Sequence, residues 1–448
     1  MAGQSIVIQE ITEGTITVDV NGDIKNIRND LADLKLLLQA QKVQTFQSAE
    51  KIYNINQINE ANFGFVTGKK AFNEILTRRL IEILQDSSED ARTFLTNANS
   101  RASDWETQSR ISNRAKEIIS YSFVGVLGIQ LRRLMAIGKE DLSESKQRNY
   151  IENCLLTLKR ALQLLCFSML SKLWDYKKQS TNYPLSEAQK TACRRFFDDQ
   201  FGADIDEYVR LFKALMDIFD DYKLDLPLTE LKGFKDSLID GSNFLQACSA
   251  MQAISRSLDG SGYTLLDCYE AEKQLVVAFE ALKFLANYKM VSIRNIDYYQ
   301  MRDNPPGFLH NYTALGFDNR SNVNLQRVNF VTSPINTDAI LLFKSIYQEG
   351  INLFPFIIDM NALSFEGGTK ICFYTSRDES SEGLCYSFLE DNRDERIFFL
   401  DALKSLNIND LMQDQAKRKE YKFNNIFNLF KEARRVIIEE DSKGGAPA

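Results

Sequence analysis

Histidine is almost missing from this chain: His310 is the only one in 448 residues. Imidazole is the usual general base near neutral pH and the commonest metal ligand. A Ser-His-Asp or Cys-His triad would therefore have to be built around His310, and a multi-histidine metal site is excluded within one subunit. Proline is scarce as well, seven in all, which removes the strongest interruption to helices. The seven cysteines (154, 166, 193, 248, 268, 372 and 385) form no CxxC pair, and their number is odd. That pattern does not make a disulfide framework, so a reducing, cytoplasmic compartment is expected. Excess positive charge is lacking too: 54 Lys and Arg stand against 61 Asp and Glu, for a net charge of −7. Coating nucleic acid needs a basic face, so nucleic acid is not an expected partner, although a local basic patch is compatible with the balance. No basic stretch followed by an apolar one opens the chain at Met1-Ala2-Gly3-Gln4-Ser5, and no secretory signal is expected. The most membrane-like window, Ile118–Leu131, is too short to span a bilayer as a helix and runs into Arg132 and Arg133. A buried core helix is expected there, with no membrane partner; a toxin that inserts through this window is the rival.

What is present points to helix. Hydrophobic residues make up 44% and charged residues 26%, enough to bury a sizeable core. Long runs rich in Leu, Ala, Glu, Lys and Gln predict helices at Phe72–Gln85, Ser88–Asn99, Trp105–Ile137, Glu144–Lys177, Ser186–Phe197, Asp204–Tyr222, Thr229–Ile239, Ser242–Leu258 and Leu265–Asn287. Ser186 with Gln189 has the spacing of a capping box. Before these helices, Ile6, Ile8 and then Ile11 mark one short strand, Ile16, Val18 and Val20 alternate with Thr15, Thr17 and Asp19 as a half-buried strand does, and Asn21-Gly22 follows as a turn. Ile24, Ile27, Leu31, Leu34 and Leu38 are then spaced three, four, three, four, an apolar seam of about two and a half heptads. Residues 291–335, rich in Asn, Asp, Arg and Tyr with Pro305-Pro306, predict a long surface connection. A helix at 338–348 and strands at Leu353–Asp359, Lys370–Thr375 and Leu384–Leu389 follow, and helix returns at Arg396–Leu406 and Leu411–Ile438.

The expected fold is mainly α: an irregular helical bundle with a short N-terminal β-hairpin and a small C-terminal α/β segment. The expected divisions are 1–62, a hairpin and amphipathic helix for docking or oligomerisation; 63–300, the bundle; 301–335, a connecting loop; and 336–448, a small α+β segment with a C-terminal helix.

Four constellations hold candidate chemistry. Gly64-Phe65-Val66-Thr67-Gly68-Lys69-Lys70 has one residue too few between its glycines for a P-loop, and Lys70 stands where a Mg-binding hydroxyl belongs. Asp359, Glu366 and Lys370 are the acids and lysine from which a metal-dependent nuclease or other hydrolase would be built. In that family the second acid and the lysine are two apart on one strand; here they are four apart across Gly367-Gly368. His310 with Cys248 or Cys268 could in principle make a thiol protease, although no cysteine lies in a local signature for such a family. Gln415–Lys419, Lys422 and Arg434-Arg435 interleave with Tyr421, Phe423, Phe427 and Phe430, a pattern shared by base-stacking surfaces and amphipathic core helices.

The stretch Ile16–Gly22 (ITVDVNG), the leucine-rich helix after it, and Lys51-Ile52-Tyr53-Asn54-Ile55, Ile58 and Ala61-Asn62-Phe63 resemble the leader segments ahead of the ATPase core in large bacterial signal-transduction ATPases of the NACHT/STAND type. The resemblance covers about residues 5–65, and the P-loop and Asp-rich ATPase strand do not follow it. It implies a sensor or adaptor of a bacterial conflict or antiviral system, acting by like-with-like contacts. The expectation is thus a cytoplasmic protein-interaction component with protein partners, a second copy of itself among them, and no cofactor. The seam Ile24, Ile27, Leu31, Leu34 and Leu38 is its contact surface. The rival is the hydrolase on Asp359, Glu366 and Lys370.

Overall fold

The middle of Glu144–Gln179, from Tyr150 to Trp174, carries apolar residues on nearly every side, and such a stretch has to be enclosed by its neighbours. In the computed structural model it is: this 36-residue helix (α5) buries Tyr150, Cys154, Leu158, Leu162, Leu165, Leu170 and Leu173. It is the one described helix long and apolar enough to cross a membrane, and its most apolar window is 94% buried inside the protein. The structure describes residues 5–9, 15–19, 73–98, 105–137, 143–180, 183–198, 202–258, 264–302, 306–315, 326–330, 338–344, 350–378, 383–389, 394–397 and 414–438.

The chain divides into two units, Met1–Ala71 and Phe72–Ala448. In the first, Ser5–Gln9 (β1) and Thr15–Asp19 (β2) run antiparallel. The expected turn at Asn21-Gly22, the seam Ile24, Ile27, Leu31, Leu34 and Leu38, and the glycines of 64–70 all lie outside the described residues.

The second unit is mostly helical, with small antiparallel sheets. Ahead of α5 come α1 (Glu74–Ile83), α2 (Glu89–Ala98), α3 (Trp105–Ser122) and α4 (Gly125–Ile137). The helix expected over 105–137, with Gly125 and Gly128 as the places where it would bend or break, is broken at Phe123-Val124, just ahead of Gly125. The chain folds back there so closely that a Cβ on Gly128 would lie 2.0 Å from the Ser120 carbonyl oxygen. The apolar window Ile118–Leu131 is therefore two helix ends buried against each other, with Ile118, Ile119, Val126, Leu127 and Leu131 in the core. After α5 come α6 (Glu187–Phe197), α7 (Ile205–Asp221), a 3-10 segment at Thr229–Leu238, α8 (Asn243–Ser257), α9 (Leu265–Ala281) and a second 3-10 turn at Lys283–Asn287. Helices α4, α7, α8 and α9 all pack on α5. The capping box forms: the Ser186 hydroxyl accepts from Gln189 N–H, and Ser186 N–H donates to the Gln189 side chain.

The expected connection at 301–335 is corrected by the structure, since strands begin at 289. Lys289–Tyr299 (β3), Gly307–Leu315 (β4), Gln326–Phe330 (β5), Ile340–Phe343 (β6) and Ile351–Asn352 (β7) form one sheet in the order β5-β4-β3-β6-β7. Val291, Ile293, Tyr312, Ala339 and Leu341 make its core. The helix expected at 338–348 is replaced by β6, because a short continuous apolar run fits a buried strand as well as a helix. A second sheet runs β11-β10-β9-β8 from Ile357–Asp359 (β8), Ile371–Asp378 (β9), Gly383–Phe388 (β10) and Asp394–Ile397 (β11). Every strand pair in both sheets is antiparallel, so the segment is not α/β. The start of the helix expected at Arg396–Leu406 is strand β11. Both sheets belong to the same unit as the helices rather than to a segment of their own.

The short helix α10 (Met360–Leu363) and the long α11 (Gln415–Ile438) complete the described residues. Aromatic rings join the second sheet to the helices: Phe167 of α5 lies 5.7 Å from Phe356, Phe196 of α6 lies 5.2 Å from Tyr374, and Phe430 of α11 lies 4.5 Å from Tyr374. Arg160, fully buried on α5, donates to Phe388 O (2.6 Å), Ser387 Oγ (3.0 Å) and Gln163 Oε1 (2.7 Å), and its guanidinium lies 4.6 Å from the Phe373 ring centroid. These charge-assisted bonds give the helix one register against the sheet.

Candidate functional site

Two ion pairs with buried carboxylates sit where the two sheets meet α11. It begins with an irregularity in β3. Residues pair in sequence with β4 until Ile293 faces Tyr312, and then Asn295 faces Asn311, leaving Arg294 as an extra residue. A bulge of this kind re-aims a side chain, and Arg294 turns its guanidinium onto Asp359 Oδ2 (3.0 Å) and the Gly368 carbonyl, with Nε 3.4 Å from Thr313 Oγ1. Asp359 ends β8 and caps α10. Its Oδ1 accepts from the backbone N–H groups of Asn361 (3.1 Å), Ala362 (3.4 Å) and Lys370 (3.0 Å), and its Oδ2 also accepts from Ser292 Oγ (2.8 Å). The carboxylate is 0% exposed. Five donors fill it, and one buried charge thereby ties β3 to β8 and closes the 360–370 turn.

A second pair stands beside the first. Asp338, buried and at φ 67, accepts from the Lys422 ammonium of α11 at 2.8 Å. Burial pushes the Asp338 carboxyl up, against the opposing pull of Lys422 and Arg294. Lys422 also donates to Ala362 O (3.4 Å) and lies 4.2 Å from the Phe365 ring centroid.

The structure brings Asp359 and Lys370 together, but through the lysine's backbone. The Lys370 ammonium instead lies over the Phe388 ring at 3.9 Å. Glu366 is exposed in the turn, its N–H donating to Asn361 O (2.8 Å). Among the described residues no group of three His, Cys, Asp or Glu is placed to hold a metal ion, and the donors around Asp359 leave its carboxylate no lone pair pointing at an open space. As placed, the trio organises a turn.

His310 is buried on β4, where burial pushes its imidazole pKa down. Cys248 on α8 and Cys268 on α9 are both pushed up to about 12 by burial. Thiols held protonated at neutral pH are poor nucleophiles. All seven cysteines are free and buried.

Of the aromatics on α11, Phe430 is core, Phe423 and Phe427 are half-buried, and Tyr421 is exposed. Arg294, Asp338 and Phe365 were not singled out by sequence. The bulge that aims Arg294 and the left-handed backbone at Asp338 and Phe365 leave no local signature, although Gly367-Gly368 marks the turn that carries Phe365. No family model matches the chain, and neither a curated protein nor a solved structure matches it.

Proposed function

We propose that this chain is a protein-interaction component, an adaptor or sensor, that docks through its first 71 residues. The observation supporting the proposal is the division of the chain into two units between Ala71 and Phe72. Ile24, Ile27, Leu31, Leu34 and Leu38 would supply the contact. Burying five such side chains is worth on the order of 10 kcal/mol, close to the cost of bringing two chains together. The expected association is therefore reversible and concentration-dependent. Cytoplasmic location is supported by the seven free thiols. The hairpin and helix as a module, and a role in a bacterial conflict or antiviral system, rest on the leader resemblance.

Deletion of residues 1–71, with mass in solution and binding to the products of adjacent genes as readouts, tests the proposal. Loss of assembly or partner binding from a remainder that keeps its cooperative unfolding is the expected result, and Leu31→Glu with Leu34→Glu should reproduce it. A folded remainder that assembles and binds as the full chain does would sink it.

A further inference from the structure

The basic and aromatic residues of α11 serve two ends of the helix differently. Its carboxyl-terminal half is bound into the body through Ile426, Phe430, Ala433 and Ile437. Its first two turns are barely covered: Arg418, Lys419 and Tyr421 are exposed, Tyr421 by 44%. The fold sets Phe365 beside them, 41% exposed and at φ 58. A bulky residue in the left-handed region is a genuine outlier, and a ring left this open to solvent does not recover the strain through burial. Such strain collects at ligand-contacting positions. The Lys422 ammonium approaches the ring from the body side at 4.2 Å, and the exposed Arg418 guanidinium lies 5.6 Å from its centroid. Arg418 and Tyr421 are three apart, on one face of the helix.

We propose that Phe365, Arg418, Lys419, Tyr421 and Lys422 form a binding surface for single-stranded nucleic acid. Unpaired bases stack on the open rings and on the guanidinium plane, and phosphates meet the cations, a combination that tolerates any base because each has a π-face. Charge alone would serve an acidic peptide equally; two solvent-exposed rings set among the cations favour bases. A duplex hides its base faces and gains only the ionic part. The chain as a whole carries −7, so attraction is confined to this patch and falls quickly with salt.

The test is fluorescence anisotropy of labelled oligothymidine titrated with the full chain. Binding at low salt is expected, with a log–log salt slope of about −1.4 for the two exposed cations Arg418 and Lys419, Lys422 being held by Asp338, and with weaker binding of a duplex of equal length. Phe365→Gly should lower affinity about tenfold while leaving the melting temperature unchanged or higher, since glycine accepts this backbone without strain. Arg418→Glu should lower affinity by at least as much, whereas Lys431→Glu, the same charge change further along α11, should not. Absence of low-salt binding, equal binding by Phe365→Gly and Arg418→Glu, or equal affinity for the duplex would each overturn the proposal. Displacement by polyglutamate as effective as by unlabelled oligothymidine would overturn it in favour of an acidic peptide.

Discussion

Of the four carboxylates buried among the described residues, Glu207, Glu272, Asp338 and Asp359, the pair Glu272, among helices, and Asp359, between sheets, have opposite surroundings. Glu272 of α9 is met by neutral donors: the Tyr150 hydroxyl of α5 and the backbone N–H of Asn73 at the start of α1. Lys116 acts on it through space, while its ammonium is hydrogen-bonded to Met135 O at 3.1 Å. Burial therefore prevails, and Glu272 is raised to about 7. Asp359 has a guanidinium in direct contact and four further donors on its two oxygens. A buried acid can thus be tolerated by keeping its proton or by being fully paired. Glu272 uses the first solution and Asp359 the second; Glu207 of α7, also buried among helices, is paired with Arg195 and Arg210.

The sharpest way to break this contrast is at the paired site. Asp359→Ala strands the Arg294 guanidinium and removes the cap of α10; about 3 kcal/mol for the broken buried pair and about 1 kcal/mol for the cap give an expected loss of about 4 kcal/mol in chemical denaturation. A cost below about 1 kcal/mol would show that the junction does not depend on the pair.

Next in size is the pH dependence from Glu272. Its folded value lies above the ordinary 4.5, so between these pH values the folded state holds more protons than the unfolded chain. Stability contributed by this group is highest below about pH 4.5, falls as pH rises through about 7, and then levels off. The rise from 4.5 to about 7 corresponds to about 3 kcal/mol. Glu272→Gln should flatten that portion of the stability profile and leave the protein more stable than wild type at pH 8; an unchanged slope would show that Glu272 is ionised throughout.

The smallest effect sharpens the comparison by giving the worth of a cap without buried charge. Ser186→Ala on α6 should cost about 1 kcal/mol by thermal denaturation. A cost equal to that of Asp359→Ala would mean that the buried ion pair adds nothing beyond capping.

Much of the helical half was legible locally. The spans of α5, α6, α7 and α8 follow the apolar period, and Ser186 with Gln189 announced a real capping box. Strands β9 and β10 were legible from their aromatic and β-branched content. Strand β3 was not, and the bulge is the reason. Val291 and Ile293 face the sheet's core, the extra Arg294 shifts the parity, and Ile296 then packs on that same core. A period-two count fails at that step, and the polar residues beyond it pass for loop. Asp359 stood out by its place at the end of an apolar strand, but its role depends on Ser292 and Arg294, 67 and 65 residues away in sequence.

The sequence by itself determined that the protein is mostly helical, where α5, α6, α7 and α8 run, and that α6 starts at a capping box, because helix period and capping depend on residues within a few positions of one another. Only the tertiary structure decided that Asp359 is a clamp, that Glu272 is surrounded by neutral donors, and that Phe365 stands open beside Arg418. Those properties depend on which distant groups share one low-dielectric space, and spacing along the chain carries no record of that.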